Sequence, residues 1–231
     1  MGNESVVGGV EWGIGSGLPD GSVSTWWHNA SWAGGDNTDP PALRNYTTPF
    51  DALDAIITTL SNGTAFPSLK KITLVGFSAG AQLMSRYAFV SPLGVASTPA
   101  VKIVISDASS YLYFDTRRPS PDCRPLRDSG ANASCSLFIV PPEAASCKAY
   151  NAWRYGVTKF SDRYTEHFNG DDAAIAAAVA RFAQKDLLFV LGGADACNCN
   201  TANFINDVPF CFPAGGSLHC HPNAFGGTGC W

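Results

Sequence analysis

Three short apolar runs, KKITLVGF at 70–77, VKIVIS at 101–106 and DLLFVLGGAD at 186–195, constrain the fold most, because each is separated from the next by enough chain for a helix. Runs of this length, rich in Val, Ile and Leu, fit buried strands of a parallel sheet. Parallel strands need long crossovers, and helical patterns lie where those crossovers would be. AGAQLMSRYAFV at 79–90 places helix formers in amphipathic order after the first run. DDAAIAAAVARFAQKD at 171–186 reads as a strong helix before the third, with Asp171 and Asp172 at its positive N-terminal end. Ahead of all three runs, Phe50, Leu53, Ile56, Ile57 and Leu60 recur at helical spacing, with Pro49 before them and Gly63 after. Helix, strand, helix, strand, helix, strand is the order of an α/β doubly wound, mostly parallel sheet.

The remaining segments are irregular. Residues 1–48, rich in Gly, Trp, Ser, Asn and Pro, keep no sustained period and read as a loop-rich N-terminal layer. Residues 112–150 form an excursion of the length of an inserted loop or lid, and 196–231 is a cysteine-rich irregular tail. With 231 residues and 45% apolar content, the chain suits a single domain over 1–231 with a sizeable core. Net charge is only −4 and the Lys and Arg residues are scattered, so no basic stripe points to nucleic acid. No apolar run approaches the roughly 20 residues of a membrane-spanning helix.

Two features bear on compartment. The first residues, MGNESVVGGVEW, lack the charged and apolar regions of a secretory signal. Yet five N-x-[ST] sequons, at Asn3, Asn29, Asn45, Asn62 and Asn132, imply N-glycans, and all eight cysteines fall between Cys123 and Cys230. The expectation is a secreted or luminal glycoprotein whose signal peptide is absent from this chain. The cysteines are read as disulfides, with no pairing assigned, rather than as zinc ligands, because CNC at 197–199 and HCH at 219–221 lack paired C-x-x-C spacing. No metal and no cofactor is expected; the glycines of WGIGSG lack dinucleotide-binding spacing and a preceding strand.

Chemistry concentrates at Gly76-Phe77-Ser78-Ala79-Gly80, which joins the first strand pattern to the helix after it. G-x-S-x-G between strand and helix is the spacing of a nucleophile elbow, where small neighbours let a strained serine stand clear of the backbone. Ser78 is the candidate nucleophile, and the N–H of Ala79 the candidate oxyanion donor. Asp195, just past the third strand pattern, is the candidate acid, with Asp107 after the second as the weaker competitor. His219 and His221 alone follow in the order Ser, Asp, His and are the candidate bases, with DVPFCF at 207–212 as a short strand before them. His28 and His167 read as surface or packing residues. Trp26, Trp27, Trp32 and Tyr111 would line an apolar acyl or aryl pocket if they face the elbow, and otherwise pack the loop layer.

FDALDAIITTL, FPSLKKITLVGFSAGAQLMSRYAF, SSYLYFDTRRP, YNAWRYG and DLLFVLGGADAC together resemble the landmarks of secreted α/β-hydrolase-fold proteins of fungi, algae and other microbial eukaryotes, over roughly residues 45–200. The resemblance implies a serine hydrolase scaffold, with Ser78 as nucleophile and Asp195 as acid. It also implies strands before this chain begins, a second oxyanion donor in a loop after one of them, and a final strand, helix and histidine beyond Trp231. By that reading the domain is incomplete at both ends and the cysteine-rich segment precedes the true histidine. The expected activity is hydrolysis of a small-molecule or polymeric ester or related acyl substrate, possible only if a histidine reaches Ser78. The alternative is a non-catalytic secreted binding or surface protein that retains the fold without a working triad.

Overall fold

The computed structural model describes residues 8–9, 31–38, 47–108, 110–119, 138–139, 151–191, 220–222 and 228–230. Its regular elements are a 3-10 turn at Ser31–Gly34, helix α1 (Pro49–Leu60), strand β1 (Lys71–Phe77), helix α2 (Ala79–Val90) and strand β2 (Ala100–Ser106). Two short strands follow, β3 (Arg118–Pro119) and β4 (Phe138–Ile139), then a 3-10 turn at Glu166–Phe168, helix α3 (Asp172–Phe182) and strand β5 (Asp186–Val190). A last pair, β6 (Cys220–Pro222) and β7 (Thr228–Cys230), is antiparallel and lies in the tail beyond the strand suggested at 207–212, which is outside the described residues.

β1, β2 and β5 form a parallel sheet in the order β1-β2-β5, so the chain is of the α/β class, with strands that follow one another in sequence lying side by side. Phe77, Ser106 and Val190 are in register at the carboxyl ends of the three strands. β3 pairs with β4 inside the 112–150 excursion, of which 112–119 and 138–139 are described, and most of the 1–48 layer lies outside the described residues.

Local chemistry sets the helix starts. Thr48 and Asp51 close a capping box at α1: Asp51 N–H donates to Thr48 Oγ1 (3.2 Å) and Thr48 N–H to Asp51 Oδ2 (2.7 Å), with Pro49 at the first helical position. Asp171 caps α3 by accepting from Ala174 N–H at 2.8 Å. α3 stops at Phe182, short of the 186 that its pattern suggested. There, the amides of Gln184 and Lys185 turn back onto Arg181 and Phe182, and the buried Lys185 ammonium donates to the Ser91 carbonyl at 2.6 Å.

The core is built around α2, which buries Ala81 and every residue from Leu83 to Val90. Phe89 packs against Phe114, Trp153 and Phe168, and Phe50 of α1 meets Tyr87, Trp153 and Tyr164. Aromatic packing of this kind supplies much of a domain's buried apolar area. Two carboxylates pin the cluster. Asp54 accepts from Tyr87 Oη (2.6 Å), Ser91 Oγ (2.9 Å) and Tyr164 Oη (2.6 Å), while Asp162 accepts from Trp153 Nε1 (2.9 Å) and Thr165 Oγ1 (2.6 Å). Burial pushes the Asp162 carboxyl up to about 6, against the hydrogen bonds from Thr165 and Trp153 that favour its ionised form.

The strand patterns suggested burial on both faces, and here the structure differs. α2 covers the face that carries Ile72, Gly76, Ile103 and Ile105. On the opposite face Val75 and Phe77 are each 68% exposed, Leu188 43% and Val190 39%. A doubly wound sheet needs a helical layer on both sides, and among the described residues nothing covers this second face.

Candidate functional site

Ser78 is where β1 becomes α2. Its amide donates to Ser106 O at 3.0 Å, one more rung of the β1–β2 ladder, while its carbonyl accepts the first helical hydrogen bond from Gln82 N–H at 3.1 Å. Serving both elements forces an abrupt change of direction, and the backbone adopts φ 53° and ψ −115°. A residue with a Cβ in such a conformation costs about 1–3 kcal/mol. Serine at the start of a helix ordinarily caps it through its hydroxyl. Here the side chain makes no such bond, so the partly buried hydroxyl is not spent on the helix.

The two glycines of the motif differ in what they do. A Cβ at Gly76 would lie 2.3 Å from the Gly80 carbonyl oxygen and 2.7 Å from Met84 Cγ, so the first turn of α2 folds back onto this strand position. A Cβ at Gly80 would meet nothing within 4 Å. The sequence reading gave both glycines the task of making room; the packing gives it to Gly76, while Gly80 contributes the backbone that Gly76 must accommodate.

Ala79 is the first residue of α2, and the opening N–H groups of a helix have no acceptor within it. Its amide is therefore a donor at the positive end of the helix, beside Ser78. Neighbouring β2 ends similarly. Asp107 N–H donates to Val190 O at 2.9 Å, φ at Asp107 is 49°, and its Oδ2 accepts from Ser106 Oγ at 2.9 Å. The carboxyl edge of the sheet thus presents Ser78 and Asp107 side by side.

Below Ser78 on α2, at successive turns, lie Gln82 and Arg86, which sequence reasoning passed over. Arg86 is buried, and its guanidinium donates to Ala33 O (2.6 Å), Arg154 O (3.1 Å), Ser110 Oγ (2.8 Å) and Gln82 Oε1 (3.3 Å). Ser110 Oγ in turn donates to Gln82 Oε1 at 2.8 Å. A guanidinium has no acceptor, so the Gln82 atom facing it is the oxygen, which fixes the amide's orientation. Desolvation pulls the Arg86 pKa down to about 10, and the group stays charged at neutral pH. The neighbouring Arg154 pairs with Asp36. This network ties the helix behind the serine to three distant segments. No local sequence signal singles it out, since Ser85 and Tyr87 also place polar groups beside Arg86 on this helix.

Of the other sequence candidates, Asp195, His219, His28, Trp26 and Trp27 lie outside the described residues. His221 falls in β6, with only its backbone pairing to Gly229 described. His167 is exposed, its ring tilted against that of Phe168 with 4.0 Å between ring centroids. Trp32 is packed against the core, and Tyr111 also contacts Phe189, with ring centroids 6.4 Å apart. Among the described residues no group of three His, Cys, Asp or Glu side chains gathers as metal ligands, and no helix is long and apolar enough to cross a membrane. No family model matches the chain, and neither a curated protein nor a solved structure matches it.

Proposed function

We propose that this chain is a serine hydrolase of the α/β-hydrolase type, cleaving an ester or related acyl bond with Ser78 as nucleophile. The observation that carries the reading is the backbone of Ser78: a non-glycine residue at φ 53°, between a parallel strand and a helix, with its hydroxyl not used as a cap. Strain of this kind persists where the surroundings enforce it, and it concentrates at functional positions.

In the proposed reaction Ser78 Oγ attacks the acyl carbon and a histidine, His219 or His221, takes its proton. Negative charge develops on the carbonyl oxygen, and the Ala79 N–H donates to it. Collapse of the tetrahedral species breaks the bond to the leaving group, which receives the proton from the histidinium. Water, activated by the same histidine, then releases the acid and restores Ser78. Asp195 orients the histidine and stabilises its cation.

Sheet order and chain length support Asp195 as the acid. Val190 is in register with Ser106 and Phe77, two strand spacings across, or about 10 Å. The five residues from Val190 to Asp195 reach about 17 Å when extended, ample to bring a carboxylate back toward the serine.

Fluorophosphonate labelling of the purified chain, with mass spectrometry to locate the adduct, tests the proposal. An adduct on Ser78 that Ser78→Ala abolishes supports it. A folded chain that stays unlabelled sinks it and leaves the non-catalytic binding protein as the reading to pursue.

A further inference from the structure

The five sequons play no part in the chemistry above, and Asn62 is the one among them that the structure describes. It sits in the turn that closes α1 and leads to β1, where every residue from Asn62 to Ser68 is exposed. The turn is ordered by its own hydrogen bonds. Asn62 N–H donates to Thr59 O (3.1 Å) and Phe66 N–H to Asn62 O (2.8 Å). Asn62 Oδ1 accepts from Thr64 N–H (3.0 Å) and Ala65 N–H (3.3 Å).

Those last two bonds decide the chemistry of the side chain. Both partners are N–H donors, so the atom facing them is the amide oxygen, and the nitrogen Nδ2 is turned away from them. The third residue of the sequon, Thr64, is the residue whose amide holds the asparagine oxygen. Gly63 between them has nothing within 4 Å of the position its Cβ would take, so the turn stands clear of the rest of the fold.

We infer that Asn62 is an acceptor for an N-linked glycan. In the transfer, Nδ2 forms a bond to the anomeric carbon of an oligosaccharide carried on a lipid pyrophosphate. The bond from that carbon to the pyrophosphate oxygen breaks, the lipid pyrophosphate leaves, and the amide gives up one proton. The glycan stands at the amino end of β1. Ser78 lies beyond its carboxyl end, with seven strand residues, or about 20 Å, between them. A sugar at Asn62 therefore grows away from the edge that carries the proposed nucleophile, and the modified chain keeps that edge open.

The inference does not rest on hydrolase activity, and its test is read by mass alone. The whole chain is directed into the lumen of a glycosylating eukaryotic host by a cleavable leader, purified, and digested with and without an enzyme that releases N-glycans and converts the linked Asn to Asp. The peptide containing Asn62 is expected to carry hexose and N-acetylhexosamine mass, and to return 1 Da heavier than the unmodified peptide after release. Thr64→Ala, which keeps the asparagine, should abolish the modification, and Thr64→Ser should restore it. An Asn62 peptide found unmodified in folded, secreted chain overturns the inference, whatever the state of the other four sequons. So does a modification that survives Thr64→Ala.

Discussion

Ser78 and Asp107 each stand one residue past the end of neighbouring parallel strands, and both hold positive φ, 53° and 49°. Each donates its amide across the sheet, Ser78 to Ser106 O and Asp107 to Val190 O, before the chain turns away. The two side chains therefore leave the sheet at one edge, in adjacent positions. At Ser78, where φ 53° goes with ψ −115°, the strain shows that this exit is shaped by more than local preference.

Ser78→Gly should stabilise the fold. Glycine adopts this backbone without the Cβ penalty, and the relief exceeds its extra unfolded-state entropy by about 1 kcal/mol. Thermal unfolding should then shift upward by about 2–4 °C for a chain of this size. A lower midpoint would mean the conformation is not strained.

Gly76→Ala should cost at least about 3 kcal/mol in urea unfolding, because the new methyl would meet the Gly80 carbonyl and backbone would have to move. Gly80→Ala should fall within about 1 kcal/mol of the parent, with a helical position gaining a better helix former. Equal losses at both positions would contradict the asymmetry described for this turn.

Under the proposed mechanism, Asp195→Asn should slow fluorophosphonate labelling of Ser78 by at least about a hundredfold, by removing the carboxylate that orients the histidine. Asp107→Asn should change the rate by less than about tenfold, since Asp107 already accepts from Ser106 Oγ. The reverse pattern would move the acid to Asp107.

Lys185 should leave a pH signature on stability. Burial, aided by the nearby Arg181 and opposed by Asp54, lowers its pKa from 10.5 to about 8. Below pH 8 folded and unfolded chains both carry the proton, and the folded one bears the full cost of a buried cation. From pH 8 to 10.5 the folded chain has released a proton that the unfolded chain keeps, so stability rises with pH, by an amount on the order of 3 kcal/mol. Tyr87 and Tyr164, both pushed upward by burial, oppose this only as unfolded tyrosines ionise near pH 10. Urea midpoints at pH 7.5 and 9.5 should differ for the parent and converge in Lys185→Met. A difference that persists in the variant assigns the effect elsewhere.

Much of the frame was legible because its signals are local. Branched apolar runs marked β1 and β2, and α2 begins and ends where its amphipathic pattern does, at Ala79 and Val90. The end of α3 was not legible, because Gln-Lys-Asp continues a helical pattern and only the distant Ser91 carbonyl explains why Lys185 leaves it. Nor does an apolar run declare which of its faces will be covered, as Val75 and Phe77 illustrate. At the site, the spacing around Ser78 was enough to find the turn. Arg86 was invisible for the opposite reason: an arginine within an amphipathic helix reads as solvated, and three of its four acceptors lie 24, 53 and 68 residues away.

Those separations also make Arg86 a point where distant parts of the chain depend on one another. A buried guanidinium without acceptors is a heavy penalty, so the packing of α2 is energetically coupled to Ala33, Ser110 and Arg154 being in place. In the folded chain Arg86 therefore acts as a latch, holding the helix that carries the strained turn at Ser78 to three remote stretches of chain.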